Sequence, residues 1–259
     1  MHKFSANLGF LWADLPLVDA VYKAAEAGFD AVECHWPFEV PAIQLRAALT
    51  ATGLPLLGIN ARCGDRQAGA FGLAAIPARA AEARDNIDEA IAYAVASGAR
   101  AVHVLAGRSD HSPAADHCYR DNLVYAARAA AAHDIMILIE PINQIDVPDY
   151  HLSHVEAAVE IIEALGHANL KLMFDCYHVQ IMQGDICRCL ASYADHIGHV
   201  QIAAVPDRGE PDAGELFYPA VLAALRHSGY QGFIGAEYRP RGDIQLGLSW
   251  LSDFQNLAD

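Results

Sequence analysis

The feature that most constrains this chain is one alternation repeated eight times: a short apolar, β-rich run followed by a longer stretch with helical spacing. "FSANLGF" opens as the first strand, with a helix over 17–27 that stops at Gly28. "DAVECHW" is the second, with a helix after Pro41. "LPLLGIN" is the third, with a long loop and a helix over 82–97. "RAVHVLAG" is the fourth, with a helix over 121–132. "IMILIE" is the fifth, and Ser153 with Glu156 forms a capping box for the helix after it. "LKLMFD", "IGHVQIA" and "GFIGAEY" complete the set, with helices near 186–193, 219–226 and 244–254. Eight strand–helix units in 259 residues without a break in composition predict a single (β/α)8 TIM barrel, one domain over residues 1–259. An open doubly wound sheet would more often carry a G-x-G-x-x-G turn after its first strand, and "SANLGFLWAD" supplies none.

Hydrophobic residues make up 54% of the chain, enough for a large core. A formal net charge of -15 argues against general affinity for nucleic acid or anionic membrane, and leaves any anionic ligand to be held by local cations. The six cysteines form no C-x-x-C pair, which predicts reduced thiols and a cytoplasmic protein. The N-terminus lacks the apolar core of a signal peptide. Homo-oligomers are common among such barrels, but no residue here specifies one.

Four of the later apolar runs close on, or carry near their end, an oxygen-bearing side chain: Glu140, Asp175, Gln201 and Glu237. In a parallel barrel the carboxyl ends of the strands form one face, so these side chains should converge there. Three carboxylates cannot share a dry pocket while ionised unless a cation sits among them. All-oxygen ligation suits a hard divalent ion, Mg²⁺ or Mn²⁺, better than Zn²⁺. Taken singly, each could be an ion-pair partner or a rim residue; their recurrence in consecutive units favours a metal site.

"ILIEPIN", "FDCYHVQ", "IGHVQIA", "DRGEPDAGE" and "GAEYRPRG" resemble the hydroxypyruvate isomerase family, within the xylose-isomerase-like barrel superfamily. The likeness covers nearly the whole chain and is strongest after residue 135. It implies that Glu140, Asp175, Gln201 and Glu237 surround the metal and that Glu140 and Glu237 form a catalytic proton-transfer pair. Two segments depart from the family pattern: "CHWPFEV" stands where F-x-F-P is usual, and "NARCGD" replaces N-x-P-x-G-D. Both touch the rim where substrate is selected.

The implied reaction moves one hydrogen between neighbouring carbons and one between oxygens, through an enediolate. A hydride shift would need the same ligands. His178, three residues past Asp175, should reach a substrate hydroxyl. Arg208 and Glu210, both candidate substrate-binding residues, lie in the acidic loop "PDRGEPDAGE", a poor host for a phosphate dianion. Arg208 is therefore expected to pair with a substrate carboxylate, or else with Glu210 or Asp212 within the loop. His103, His199 and Glu33 read as hydrogen-bonded structural residues, and Arg239 and Arg241 as fixing the last loop. The predicted activity is a metal-assisted isomerase of small unphosphorylated hydroxy-carbonyl acids in carbohydrate metabolism. The first candidate interconverts hydroxypyruvate and tartronate semialdehyde. A 2-oxo-tetronate isomerase and a ketose 3-epimerase are the near alternatives. A DNA-repair endonuclease of the same superfamily and a non-catalytic sugar-acid binder are the remote ones.

Overall fold

The computed structural model describes residues 2–257. Its eight strands are β1 Phe4–Asn7, β2 Ala31–Cys34, β3 Leu56–Asn60, β4 Ala101–His103, β5 Met136–Ile139, β6 Leu170–Asp175, β7 Ile197–Ile202 and β8 Ile234–Ala236. They are parallel and close in sequence order, β8 pairing back onto β1. This is the predicted (β/α)8 barrel. The strands are shorter than the apolar runs, because the last residues of each run already turn into the loops above the barrel.

The helices are α1 Leu17–Glu26, α2 Ala42–Thr52, α3 Ala80–Ser97, α4 Pro113–Ala131, α5 Val155–Leu165, α6 Cys176–Met182, α7 Ile186–Tyr193, α8 Tyr218–His227 and α9 Ser249–Gln255. Their apolar faces lie against the barrel. In α5, Val155, Ala158, Val159, Ile161 and Ile162 are buried while Glu156, Glu160 and Glu163 face out. Each such aliphatic side chain contributes about 1.5–3 kcal/mol on full burial. Alanines line the neighbouring faces of α3 and α4, which lets these two helices pack closely.

Two local expectations fail. Helix α4 begins at Pro113, eight residues before the predicted start, because Ser112 caps it by accepting from the Ala115 N–H at 3.2 Å. The capping box at Ser153 does not form: α5 starts at Val155 after His154, and the Ser153 hydroxyl pairs with His154 Nδ1 instead. Helix α6 was also missed. It follows β6 with no intervening loop, so one continuous run serves as strand and then helix.

At the amino-terminal end of the barrel, Trp250 packs edge to face with Phe4 and Phe29, its centroid 5.4 Å from that of Phe4, and Phe254 lies tilted against Phe4 and Trp250. This cluster ties α9 to β1 and stiffens the closure. Inside the barrel the filling is incomplete. Small residues at Gly58 and Ala101, beside Leu138 and Met173, leave a cavity of about 280 Å³ beneath the carboxyl ends of the strands.

Candidate active site

Glu140 and Glu237 sit one residue past β5 and β8, Asp175 ends β6, and Gln201 lies one residue before the end of β7. Asp175 and Gln201 are register partners across β6 and β7. All four are buried, as predicted from their apolar runs. They do not share one set of partners, however.

Glu237 is fully engaged. Its Oε1 accepts from Asn7 Nδ2 and His35 Nε2, both at 2.9 Å, and its Oε2 accepts from Arg208 Nη2 at 2.7 Å. The same Arg208 nitrogen lies 3.4 Å from Asp175 Oδ2. Arg208 thus reaches neither Glu210 nor Asp212; it bridges two of the predicted metal ligands. Its guanidinium is held between the faces of Phe10 and Tyr177, 5.0 and 4.8 Å from their centroids. The backbone at Arg208 is left-handed, φ 57°. For a non-glycine residue that conformation costs energy and persists where surrounding contacts enforce it.

Glu140 differs. Its Oε1 is buried without a hydrogen-bond partner, and so is Gln201 Oε1. The Gln201 amide is oriented by its Nε2, which donates to Glu33 Oε1 at 2.8 Å. Asp175 uses Oδ1 to cap α6, accepting from Tyr177 N at 2.9 Å.

These environments separate the proton affinities of three neighbouring carboxyls. Burial, reinforced by the Glu237 and Asp175 charges, raises Glu140 well above the usual range. Burial also raises Asp175, against the opposing pull of Arg208, to about 7. For Glu237 burial works in the same direction but is outweighed by Arg208 and His35, which hold it down at about 2.

Glu140, Asp175 and His178 present ligand atoms within 4.8 Å of one another. The imidazole is not suited to be the third ligand. Asn143 Oδ1 accepts from the Ile145 and Asp146 N–H groups, so its Nδ2 must be the atom facing His178 Nδ1, at 2.7 Å. Nδ1 therefore accepts. Burial, with Arg208 close by, lowers the His178 pKa well below its usual value and keeps the ring neutral. Its one proton then lies on Nε2, pointing toward Glu140 and Asp175 at 3.7 and 3.6 Å. His178 is a donor at this site. The oxygens of Glu140, Asp175 and Gln201, two of them without protein partners, fit a hard divalent cation. Glu237, the fourth predicted ligand, is occupied by Arg208.

Glu210 stands apart from this convergence. It accepts from the Arg241 N–H and Nη1, both at 3.0 Å, and fixes the last loop, as expected of Arg241. Beneath the site, Glu33 accepts from Ser5, Asn7, Gln201 and His199 at 3.1, 3.0, 2.8 and 2.5 Å. Glu33 and His199 are structural, as read from the sequence. Asn7 and His35 were not foreseen. Each lies at or just past a strand end, the position that singled out the carboxylates.

A family model described as "Xylose isomerase-like TIM barrel" matches residues 21–254. The 2-oxo-tetronate isomerase of Cupriavidus necator is 44% identical over 257 residues, covering 98% of this chain and 99% of that protein. The hydroxypyruvate isomerase of Escherichia coli is 36% identical over 258 residues, covering 98% and 100%. The chain belongs to the hydroxypyruvate isomerase family of xylose isomerase-like barrels. A solved structure from Brucella melitensis, described as an "AP endonuclease, family 2", superposes with a TM-score of 0.94 at 38% identity, covering 98% and 99%. Family membership fits the site: strands β5 to β8 bring their terminal oxygens to one end of one barrel.

Proposed function

We propose that the chain is an isomerase of small, unphosphorylated hydroxy-keto acids, acting on hydroxypyruvate or, as its near alternative, a 2-oxo-tetronate. The observation that carries this reading is the placement of Glu140 and Glu237, with His178 and Arg208, around one cavity of about 240 Å³; burial raises the proton affinity of Glu140, while Arg208 holds that of Glu237 down. One protonated and one ionised carboxyl lining the same cavity are suited to removing a proton from one carbon and returning one to its neighbour. Glu237, ionised, takes the carbon-bound proton, Glu140 supplies one to the adjacent carbon, and the hydroxyl proton of the first carbon passes to the oxygen of the second. The reverse reaction uses the same pair with roles exchanged. His178 Nε2–H is placed to donate to a substrate oxygen, and Asn143 holds it there.

Asp175, Gln201 and one oxygen of Glu140 would hold a divalent ion, Mg²⁺ or Mn²⁺, leaving the other Glu140 oxygen to carry the proton, while Arg208 occupies Glu237. When bound, the ion supplies electrostatic stabilisation of the negative charge that develops on the substrate oxygens. Six free cysteines support a reducing, cytoplasmic location, and the whole chain is read as one barrel domain. Among the described residues no helix is long and apolar enough to cross a membrane.

An endonuclease reading, suggested by the Brucella structure's description, finds less support. Among the described residues the one candidate metal cluster contains a single histidine, and the chain is strongly acidic. The test is turnover, followed by NMR, of hydroxypyruvate, a 2-oxo-tetronate, a free ketose and an abasic DNA duplex, with Mg²⁺ or Mn²⁺ added. Conversion of either acid is expected. Nicking of the duplex with no conversion of the acids would overturn the assignment.

A further inference from the structure

The site's inner guanidinium is already committed. Arg208 faces Asp175 and Glu237, so its positive charge is balanced within the protein. The same cavity is lined farther out by Arg66, from the loop after β3, and Arg239, from the loop after β8. Neither has a carboxylate partner among the described residues. Their neighbours in sequence do: Arg62 pairs with Glu89, Arg79 with Glu82, and Arg241 with Asp207 and Glu210. In a chain with 32 acidic and 17 basic side chains, acidic partners are abundant.

Both arginines are nonetheless positioned. Arg66 lies over Trp36, its guanidinium carbon 4.6 Å from the ring centroid, and the Trp36 N–H is anchored on the Ala61 carbonyl at 3.1 Å. Asp65 folds the turn around Arg66 by accepting from the N–H groups of Gln67 and Ala68. The Arg239 N–H donates to the Arg208 carbonyl at 2.7 Å, which ties the outer cation to the inner one. Trp36 lies in "CHWPFEV" and Arg66 directly follows "NARCGD", the two stretches that depart from the family pattern.

We propose that Arg66 and Arg239 form an anion subsite that binds the carboxylate of the substrate, orienting its reacting carbons inward to Glu140 and Glu237. This rests on the isomerase reading above and deepens it by assigning substrate selection to these two residues. The physical reason is charge placement. A substrate carboxylate turned inward would meet Glu237 and Asp175; turned outward, it meets two exposed guanidiniums without acidic partners. The subsite therefore selects hydroxy-keto acids over neutral ketoses of the same length, and fixes which end of the acid enters first.

The test compares hydroxypyruvate with dihydroxyacetone, which offers the same enediol chemistry with a hydroxymethyl group in place of the carboxylate. Wild type, Arg66→Gln, Arg239→Gln and the double variant are assayed, with Arg128→Gln on the outer surface of α4 as a charge-matched control. Each single variant should lower the ratio of kcat/KM for the acid to that for the triose by roughly tenfold, mainly through KM for the acid, and the double variant by more. Arg66→Lys should recover part of the loss. A ratio unchanged in the double variant, or a loss equal for both substrates, overturns the subsite.

A separate measurement keeps the two proposals distinguishable. Calorimetric titration with glycerate, a non-reacting monocarboxylate that lacks the carbonyl, should show binding that weakens in the double variant. If wild type turns over neither compound yet shows this pattern, the isomerase reading fails and the anion subsite stands. If glycerate binds equally to wild type and the double variant, or to neither, the subsite fails.

Discussion

The side-chain amide of Asn143 donates to Nδ1 of His178 at 2.7 Å, and this contact decides which nitrogen of a buried imidazole carries the proton. Nitrogen-15 NMR of the histidines at pH 7 should show His178 as a neutral ring protonated on Nε2. Substituting Asn143→Asp presents an acceptor to Nδ1 and should move the proton there. A wild-type ring protonated on Nδ1 would restore His178 as a metal ligand and contradict the donor role.

The raised proton affinity of Asp175 makes cation binding pH-dependent. Burial places Asp175 at about 7, and the proposed divalent ion would need its carboxylate ionised, so below 7 the ion would compete with a proton. Affinity for Mn²⁺ should rise by up to about tenfold per pH unit toward 7 and go on rising more gently above it, where Glu140, raised further still, holds its proton. Titration calorimetry in two buffers of different ionisation enthalpy should show proton release on binding at pH 6. Binding with no proton release would show that Asp175 is already ionised or is not a ligand.

Glu33 holds Asn7 and Gln201 in place from below, and both of those residues serve the site. Burial would raise its pKa, but His199 and then the Gln201 hydrogen bond outweigh it and keep Glu33 ionised. Glu33→Gln would turn an amide N–H₂ toward groups that are themselves donors. A loss of about 3 kcal/mol in urea unfolding is expected, with activity falling in parallel. Unchanged stability would mean that the network repacks freely.

Two glycines in the barrel wall should respond oppositely to the same change. A Cβ at Gly58 would meet only Ala101 atoms, at 3.8 and 3.9 Å, whereas one at Gly235 would stand 2.7 Å from both carboxylate oxygens of Glu33. Gly58→Ala should be neutral or stabilising by up to about 1 kcal/mol. Gly235→Ala should displace the Glu33–His199 pair and lower both Tm and kcat. Equal effects at the two positions would argue that the cavity beneath the site is not as open as described.

The barrel was legible because its evidence is local: eight apolar runs separated by helical spacing need no knowledge of contacts. The site was legible only in part. Glu140, Asp175, Gln201 and Glu237 stand out because a polar oxygen ending a buried run is costly, and that cost shows in one dimension. What engages them does not. Arg208 lies in an acidic loop that suggests local ion pairs, yet it turns inward because Phe10 and Tyr177, remote in sequence, provide two ring faces to hold it. Asn7 and His35 gave a weaker signal, since amides and imidazoles at strand ends are common hydrogen-bonding residues. The failed cap at Ser153 is a third case, in which a neighbouring imidazole captured the hydroxyl.

The proposed exchange of protons between Glu140, Glu237 and the substrate's carbons is tested most directly by isomerisation in D₂O. A proton lifted by one glutamate and supplied by the other should leave solvent deuterium at the newly formed C–H of nearly every product molecule, read by proton NMR or mass spectrometry. Product that retains the original hydrogen at that carbon would contradict the account, and would assign the transfer to a direct hydride shift.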